Sequence, residues 1–253
     1  MHSLMRFVTN IRSACRVDRA YPYRAVYITL ACVVVGFAVH RWLRSESQHV
    51  ANIEGMSQHK DLFLIGDSML NNQLYVPDGD SVYHKLRERT KDTVHLLAKD
   101  DAIVSDMYSQ LHKIPAHYDK PTTYVCVSAG GNNLLNMQSL LFTNSFQEDV
   151  REEMDAIFKE YTKFISAIKM RLPSATILLL NLYYPPSMPH LKTVVSRWNE
   201  LLSNVFTNDS VTKHIRVIQV DDAFTESTDF VSRIEPSSEG GDKLSKLIVG
   251  NLK

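Results

Sequence analysis

The sequence predicts a three-layer α/β/α sandwich around a central five-stranded parallel sheet, preceded by one transmembrane helix. Three observations carry that reading. From about residue 60 onward, short apolar runs alternate with longer amphipathic stretches, the pattern of successive βαβ units. A chain of 253 residues at 44% hydrophobic and 22% charged holds one α/β domain and excludes disorder, collagen and coiled coil. Near the N-terminus a stretch without charge, residues 25–40, is bracketed by Arg24 and Arg41.

The elements follow in order. Residues 1–24 form a basic segment, 25–43 the membrane anchor, 44–60 a polar linker and 61–253 the α/β domain. In the anchor, Val26, Ile28, Leu30, Val33, Val34, Val35, Phe37 and Val39 together contribute roughly −2.4 to −4.8 kcal/mol toward insertion. Trp42 and Leu43 extend the span, and the flanking arginines can snorkel to the interface. Five arginines precede it and two follow, so the positive-inside rule places the N-terminus in the cytoplasm and the domain across the membrane. The Arg-rich, nearly acid-free leader also fits mitochondrial targeting, and a cleaved signal is the third alternative, although His40-Arg41-Trp42-Leu43 offers no small-residue cleavage site.

Within the domain, strands are expected at 62–65, 94–98, 123–127, 177–180 and 217–220, and helices at 81–89, 104–114, 147–172, 194–206 and 241–252. No internal repeat interrupts them. The 28 basic residues cancel the 28 acidic ones, but the first 44 residues hold seven Arg against Asp18, leaving the rest at net −6. An acidic body argues against nucleic acid as partner. Of three cysteines only Cys126 lies in the domain, so neither a disulfide framework nor a metal-ligand spacing exists there. No phosphate loop, dinucleotide fingerprint, His-Glu-x-x-His or Gly-x-Ser-x-Gly elbow is present, and no cofactor or metal is expected. Asn208-Asp209-Ser210 matches a glycosylation acceptor.

In an open parallel sheet, ligands sit at the carboxyl ends of the strands. Three polar segments fall at that rim. The first strand runs into Gly66-Asp67-Ser68, which puts a hydroxyl at the strand exit on a turn loosened by glycine. The third leads through Ser128 into Gly130-Gly131-Asn132-Asn133, where an Asn amide can donate to an oxyanion. The chain returns to the same rim at Ile234-Glu235-Pro236-Ser237 before the last helix. Taken singly, each also reads as ordinary turn or helix-cap chemistry. Their joint placement, in this order, is the specific signal.

Those segments resemble the SGNH (GDSL-type) hydrolases, and the resemblance spans about residues 61–252. The longer strings GDSMLNNQLYV, LLAKDDAIVSDMYSQL and SAGGNNLL resemble an uncharacterised branch of that family, which also ends in Ile-Glu-Pro-Ser. The resemblance implies a flavodoxin-like sheet, no cofactor, and action on esters or acyl groups of lipids, carbohydrates or small molecules. It makes Ser68 the nucleophile. The oxyanion hole would combine the Ser68 N–H, the Asn132 side chain and an N–H near Asp101 or Ala102. Two departures follow. The second block reads Asp100-Asp101-Ala102 where the family carries a glycine, so the amide comes from a residue less tolerant of unusual φ. The family's catalytic Asp-x-x-His reads Ser232-Arg233-Ile234-Glu235, without acid or base.

Glu235 is then the candidate base, provided that burial lifts its pKa toward neutrality. His190, in the loop after the fourth strand, is the histidine nearest the rim, while His84, His95 and His112 belong to helix or strand patterns. Asp229 either assists electrostatically or caps a turn. Two functions are expected from these residues. One is a membrane-anchored esterase or deacylase acting on an acyl ester, lipid or acylated glycan through Ser68, Asn132 and Glu235. The other is a binding module that kept the cleft and lost the chemistry.

Overall fold

Five apolar runs pair into one parallel sheet: β1 (Asp61–Ile65), β2 (Thr93–Leu96), β3 (Thr123–Val127), β4 (Thr176–Leu180) and β5 (Ile215–Ile218). The computed structural model describes residues 59–137, 148–207 and 214–252. The expected membrane span at 25–43 and Asn208-Asp209-Ser210 lie outside them. Among the described residues no helix is long and apolar enough to cross a membrane. Contacts divide the chain into two units, Met1–Ser57 and Gln58–Lys253, and the sheet belongs to the second.

The strand order is β2-β1-β3-β4-β5. β3 and β4 are buried at every position, as central parallel strands covered on both faces must be. The edge strands β2 and β5 expose part of their length. β5 starts two residues earlier than the apolar pattern suggests, because the edge tolerates Arg216, whose guanidinium donates to the Asn251 carbonyl at 2.6 Å.

Right-handed crossovers dictate where the helices go. α1 (Val82–Arg89) links β1 to β2 on one face, and α6 (Ser238–Gly250) packs beside it. Moving the other way along the sheet, α2 (Met107–Leu111), α4 (Glu148–Arg171) and α5 (Lys192–Phe206) cover the opposite face, with α4 against both others. α4 and α5 bury helical stripes, Met154, Phe158, Tyr161, Phe164, Ile165 and Ile168 on one, Val194, Val195, Trp198, Leu202 and Phe206 on the other. Trp198 packs edge-on against Phe158 and Tyr161 at 5.3 and 5.4 Å between ring centroids. Ser81 caps α1 by accepting from the His84 N–H, and Ser237 caps α6 by accepting from the Gly240 N–H.

Three segments depart from the sequence reading. Gly131–Asn136, expected as loop, is a short helix, α3. The segment before α6 is a hairpin of β6 (Phe230–Val231) and β7 (Glu235–Pro236), with Val231 opposite Glu235. The expected helix at 104–114 is a 3₁₀ turn, Val104–Asp106, followed by the single turn of α2. The sheet order reverses between β1 and β3, so the crevice at a topological switch point opens where Ser68 and Asn132 leave their strands.

Candidate active site

β1 ends in a turn that only glycine can make. Gly66 has φ +148°, and a Cβ there would lie 2.2 Å from the Ser128 carbonyl oxygen. Its peptide is clamped by the fully buried Gln110 of α2: the Gly66 N–H donates to Gln110 Oε1 at 2.7 Å, and Gln110 Nε2 returns a bond to the Gly66 carbonyl at 2.9 Å. The turn delivers Asp67 and Ser68, both buried, to the rim. Asp67 Oδ1 accepts from the Met69 N–H at 3.1 Å and from Ser128 Oγ at 2.5 Å.

On the adjacent strand, Gly130 (φ +100°) lies against Trp198, and a Cβ would meet the indole at 2.3 Å. That close approach starts α3 and brings Asn132 to the rim. Asn132 Nδ2 donates to the Ala102 carbonyl at 3.0 Å, leaving its second amide hydrogen toward the cleft it lines. Asn133 Oδ1 accepts from the Val104 N–H at 3.1 Å. Asp101 takes the left-handed conformation, φ +59°, a region in which Asp is enriched among non-glycine residues. The position that lacks the expected glycine thus adopts a glycine-like backbone. The Asp101 N–H donates to Asp100 Oδ1 at 3.1 Å, and Asp101 is not among the residues that line the cleft.

Glu235 reaches Ser68 from the hairpin. The intervening turn holds Ser232 and Arg233 at φ +47° and +83°, two consecutive non-glycine residues in the left-handed region. The carbonyls on either side of Glu235 are each pinned by a partly or fully buried donor. Tyr183 Oη donates to Ile234 O at 2.8 Å, and Asn72 Nδ2 to Pro236 O at 2.9 Å. Held there, the carboxylate lines the same cleft as Ser68 and interacts with its hydroxyl. Burial pushes the Glu235 carboxyl above its ordinary range; the interaction with the Ser68 hydroxyl opposes this, and the negative charges of Asp100 and Asp101 add to it. Burial likewise pushes Asp67 up to about 7, against its bonds from Ser128 and Met69 and assisted by the charge of Glu235.

The two carboxyls and Ser68 stand at the polar end of an open cleft. Its walls are Met69, Leu134, Leu135, Leu182, Pro185, Leu191, Val194, Val195 and Ile234. No histidine lines it among the described residues. His190 is exposed in the turn Pro189–Leu191. His95 stacks on Phe63 at 4.2 Å beside Asp61, and His84 and His112 bond to Ser81 and to the Tyr108 carbonyl. Asp229 is buried in an ion pair with Lys243 at 2.7 Å and accepts from the Glu226 N–H, a structural placement away from Ser68. Among the described residues no cluster of His, Cys, Asp and Glu has the spacing of a metal site.

The structure therefore brings Ser68, Asn132 and Glu235 together. It also reveals four asparagines that tie the converging loops to one another. Asn71 Nδ2 bonds the Ala98 carbonyl at 3.0 Å, Asn72 joins Pro236 to the Val82 N–H, and Asn132 and Asn133 hold the 102–104 segment. Their trace in the sequence is an Asn-Asn pair in each of two rim segments.

The fold has solved counterparts. The structure superposes on a lipase, Lip_vut3, from a goat rumen metagenome with TM-score 0.62 at 20% identity, over 77% of this chain and all of that one. A lipolytic protein of the G-D-S-L family from Veillonella parvula gives 0.57 at 16%, over 76% and 97%. The fold is that of the SGNH hydrolases. A family 3 carbohydrate esterase of Clostridium thermocellum also shares it, with TM-score 0.54 at 13% identity over 76% of this chain and 94% of that one. In sequence, the uncharacterized protein YpmR of Bacillus subtilis is 23% identical over 228 residues, 83% of this chain and 88% of that protein. No protein-family model matches the chain.

Proposed function

We propose that the chain is a serine esterase in which Glu235 replaces the usual histidine. The observation that carries this is the placement of Ser68 and a buried carboxylate, Glu235, together at the polar end of an apolar cleft. Ser68 Oγ attacks the acyl carbonyl carbon while its proton passes to Glu235. The negative oxygen that forms is met by the Ser68 N–H and the second Nδ2 hydrogen of Asn132, while the Asp101 N–H, bonded to Asp100 and outside the cleft lining, takes no part. Collapse breaks the bond to the alcohol oxygen, which leaves with the proton from Glu235. Water then attacks the acyl-serine, gives a proton to Glu235, and frees the carboxylic acid and Ser68. A carboxylate of ordinary pKa is a weak base for this work, and the burial of Glu235 shifts its pKa in the direction the work needs.

Kinship in fold with lipases and a carbohydrate esterase supports an ester substrate. The arginine-flanked stretch at 25–43 supports a single-pass anchor with the basic N-terminus cytoplasmic and the hydrolase domain across the membrane. The test is labelling by a fluorophosphonate between pH 5 and 9. The expected result is labelling that is absent in Ser68→Ala and reduced in Glu235→Gln. A folded protein that stays unlabelled throughout overturns catalysis and leaves a binding module.

A further inference from the structure

Resting on the esterase reading, we propose that Gln110 is a positioning residue for the nucleophile, and that the segment 102–110 that carries it is the common support of Ser68 and Asn132. α2 buries Met107, Leu111 and, between them, the fully buried Gln110. An amide in such surroundings costs free energy unless both its ends are bonded, and both of these bonds go to one residue, Gly66. Glycine leaves that turn the freest backbone in the chain, so an outside group has to hold it. The Lys99 N–H also donates to the Gly66 carbonyl at 2.9 Å, which fixes the plane of the Gly66–Asp67 peptide from two sides. The next peptide carries the Ser68 N–H, and its carbonyl, Asp67 O, accepts from the Leu70 and Asn71 N–H groups at 3.2 and 3.1 Å. Gln110 is thus the side chain that sets where the Ser68 hydroxyl and the Ser68 N–H begin.

The same segment reaches the other half of the site. At its start the Ala102 carbonyl accepts from Asn132 Nδ2 at 3.0 Å, and the Val104 N–H donates to Asn133 Oδ1 at 3.1 Å. Between those bonds and Gln110 the chain is stiffened turn by turn. The Ile103 N–H donates to Asp106 Oδ2 at 3.0 Å, the Asp106 N–H to the Ile103 carbonyl at 3.0 Å, and Ser109 Oγ to the Asp106 carbonyl at 2.7 Å. The separation between the oxygen that attacks and the amide that meets the oxyanion therefore depends on this one piece of chain. A misplacement of about 1 Å there costs about 10²-fold in rate. Among the described residues, none from 102–110 lines the cleft. Loosening the segment should then be felt in the chemical step and not in substrate binding.

The experiment measures, on the purified full chain, the saturating rate (kinact) and half-saturating concentration (KI) of fluorophosphonate labelling, with thermal melts and near-ultraviolet circular dichroism to establish folding. Gln110→Met fills nearly the same space with neither bond. It should lose about 10²-fold in kinact with KI within about twofold of the parent. Ile177→Ala, buried at the entry end of β4, is the control for lost stability and should leave kinact within about twofold. Asn133→Ala frees the Val104 N–H and leaves Gln110 in place, so it should lower kinact about tenfold at constant KI. It also carries the test if Gln110→Met does not fold. A parent labelled at Ser68 with kinact nearly unchanged in folded Gln110→Met, or lowered as much in Ile177→Ala, makes Gln110 a packing residue and overturns the proposal while the esterase stands. A loss that appears in KI instead overturns it as well, and an unchanged kinact in Asn133→Ala overturns the common support. A folded parent that is not labelled removes the esterase and this inference together.

Discussion

At the scale of single residues, the chemistry turns on where two carboxyl protons sit. In the proposed mechanism Glu235 is ionised when it takes the proton of Ser68, and its pKa is raised above 4.5. The acid limb of kcat/KM should therefore lie above the ordinary carboxylate range, and Glu235→Gln should lose about 10²–10⁴ in rate and the limb with it. A profile that keeps its limb in Glu235→Gln would assign the base elsewhere. Asp67 makes a different prediction, because its folded pKa of about 7 exceeds the 3.8 of an unperturbed Asp. The folded state holds that proton more tightly, so its stabilising contribution is full below about pH 4 and is lost as pH rises to about 7. That contribution is on the order of 4 kcal/mol. Asp67→Asn keeps the acceptor for Ser128 and Met69, and denaturant melts from pH 4 to 8 should show a flatter slope than the parent. An unchanged slope would place the titration in another group. That Ser68, Asn132 and Glu235 line one cleft was legible from their positions at strand ends. The burial of Asp67 and its bond to Ser128 were not, because they depend on how two loops meet.

At the scale of elements, loops without regular hydrogen bonds converge on one rim, and side-chain amides supply the missing partners. Asn72 shows the consequence. It accepts from the Val82 N–H at 2.9 Å and donates to Pro236 O at 2.9 Å, joining the start of α1 to the strand that presents Glu235. Asn72→Asp retains the acceptor and loses the donor. The carboxyl it introduces is fully buried and should cost stability, and in the protein that still folds kcat should fall about tenfold with KM within about twofold, since a displaced base harms the chemical step more than binding. Asn72→Ala also strands a buried N–H and should cost a further 1–3 kcal/mol, roughly. Equal kcat for Asn72→Asp and the parent would reduce Asn72 to a helix-start ligand. The β6–β7 hairpin that needs this support could not be read from the sequence. Two-residue strands are too short for alternation, and their turn uses Ser232 and Arg233 at positive φ where glycine would have announced it. The helix at Gly131–Asn136 was hidden in the opposite way, since its glycine-rich start reads as loop until Trp198 is seen packed on Gly130.

At the scale of the whole molecule, alternating apolar and amphipathic stretches disclosed the sheet, because fully buried parallel strands leave continuous apolar runs in the chain. Strand order was legible only through the family resemblance; periodicity carries no record of which strands neighbour. The order β2-β1-β3-β4-β5 matters because it sets the exits of β1 and β3 side by side, so that two segments more than sixty residues apart share one cleft. Every group assigned to catalysis comes from the unit Gln58–Lys253. The expected anchor lies wholly in Met1–Ser57, with its arginines. Chemistry and attachment should then separate. A fragment of residues 58–253 should hydrolyse a water-soluble ester with kcat/KM within about threefold of the full chain, and should stay in the supernatant when membranes are sedimented. The full chain should sediment with the membranes and resist extraction by high salt, which screens surface charge over about 3 Å at 1 M but leaves a spanning helix in place. A full chain that salt releases would make residues 25–43 something other than a span. A folded but inactive fragment would mean that the first unit contributes to the site.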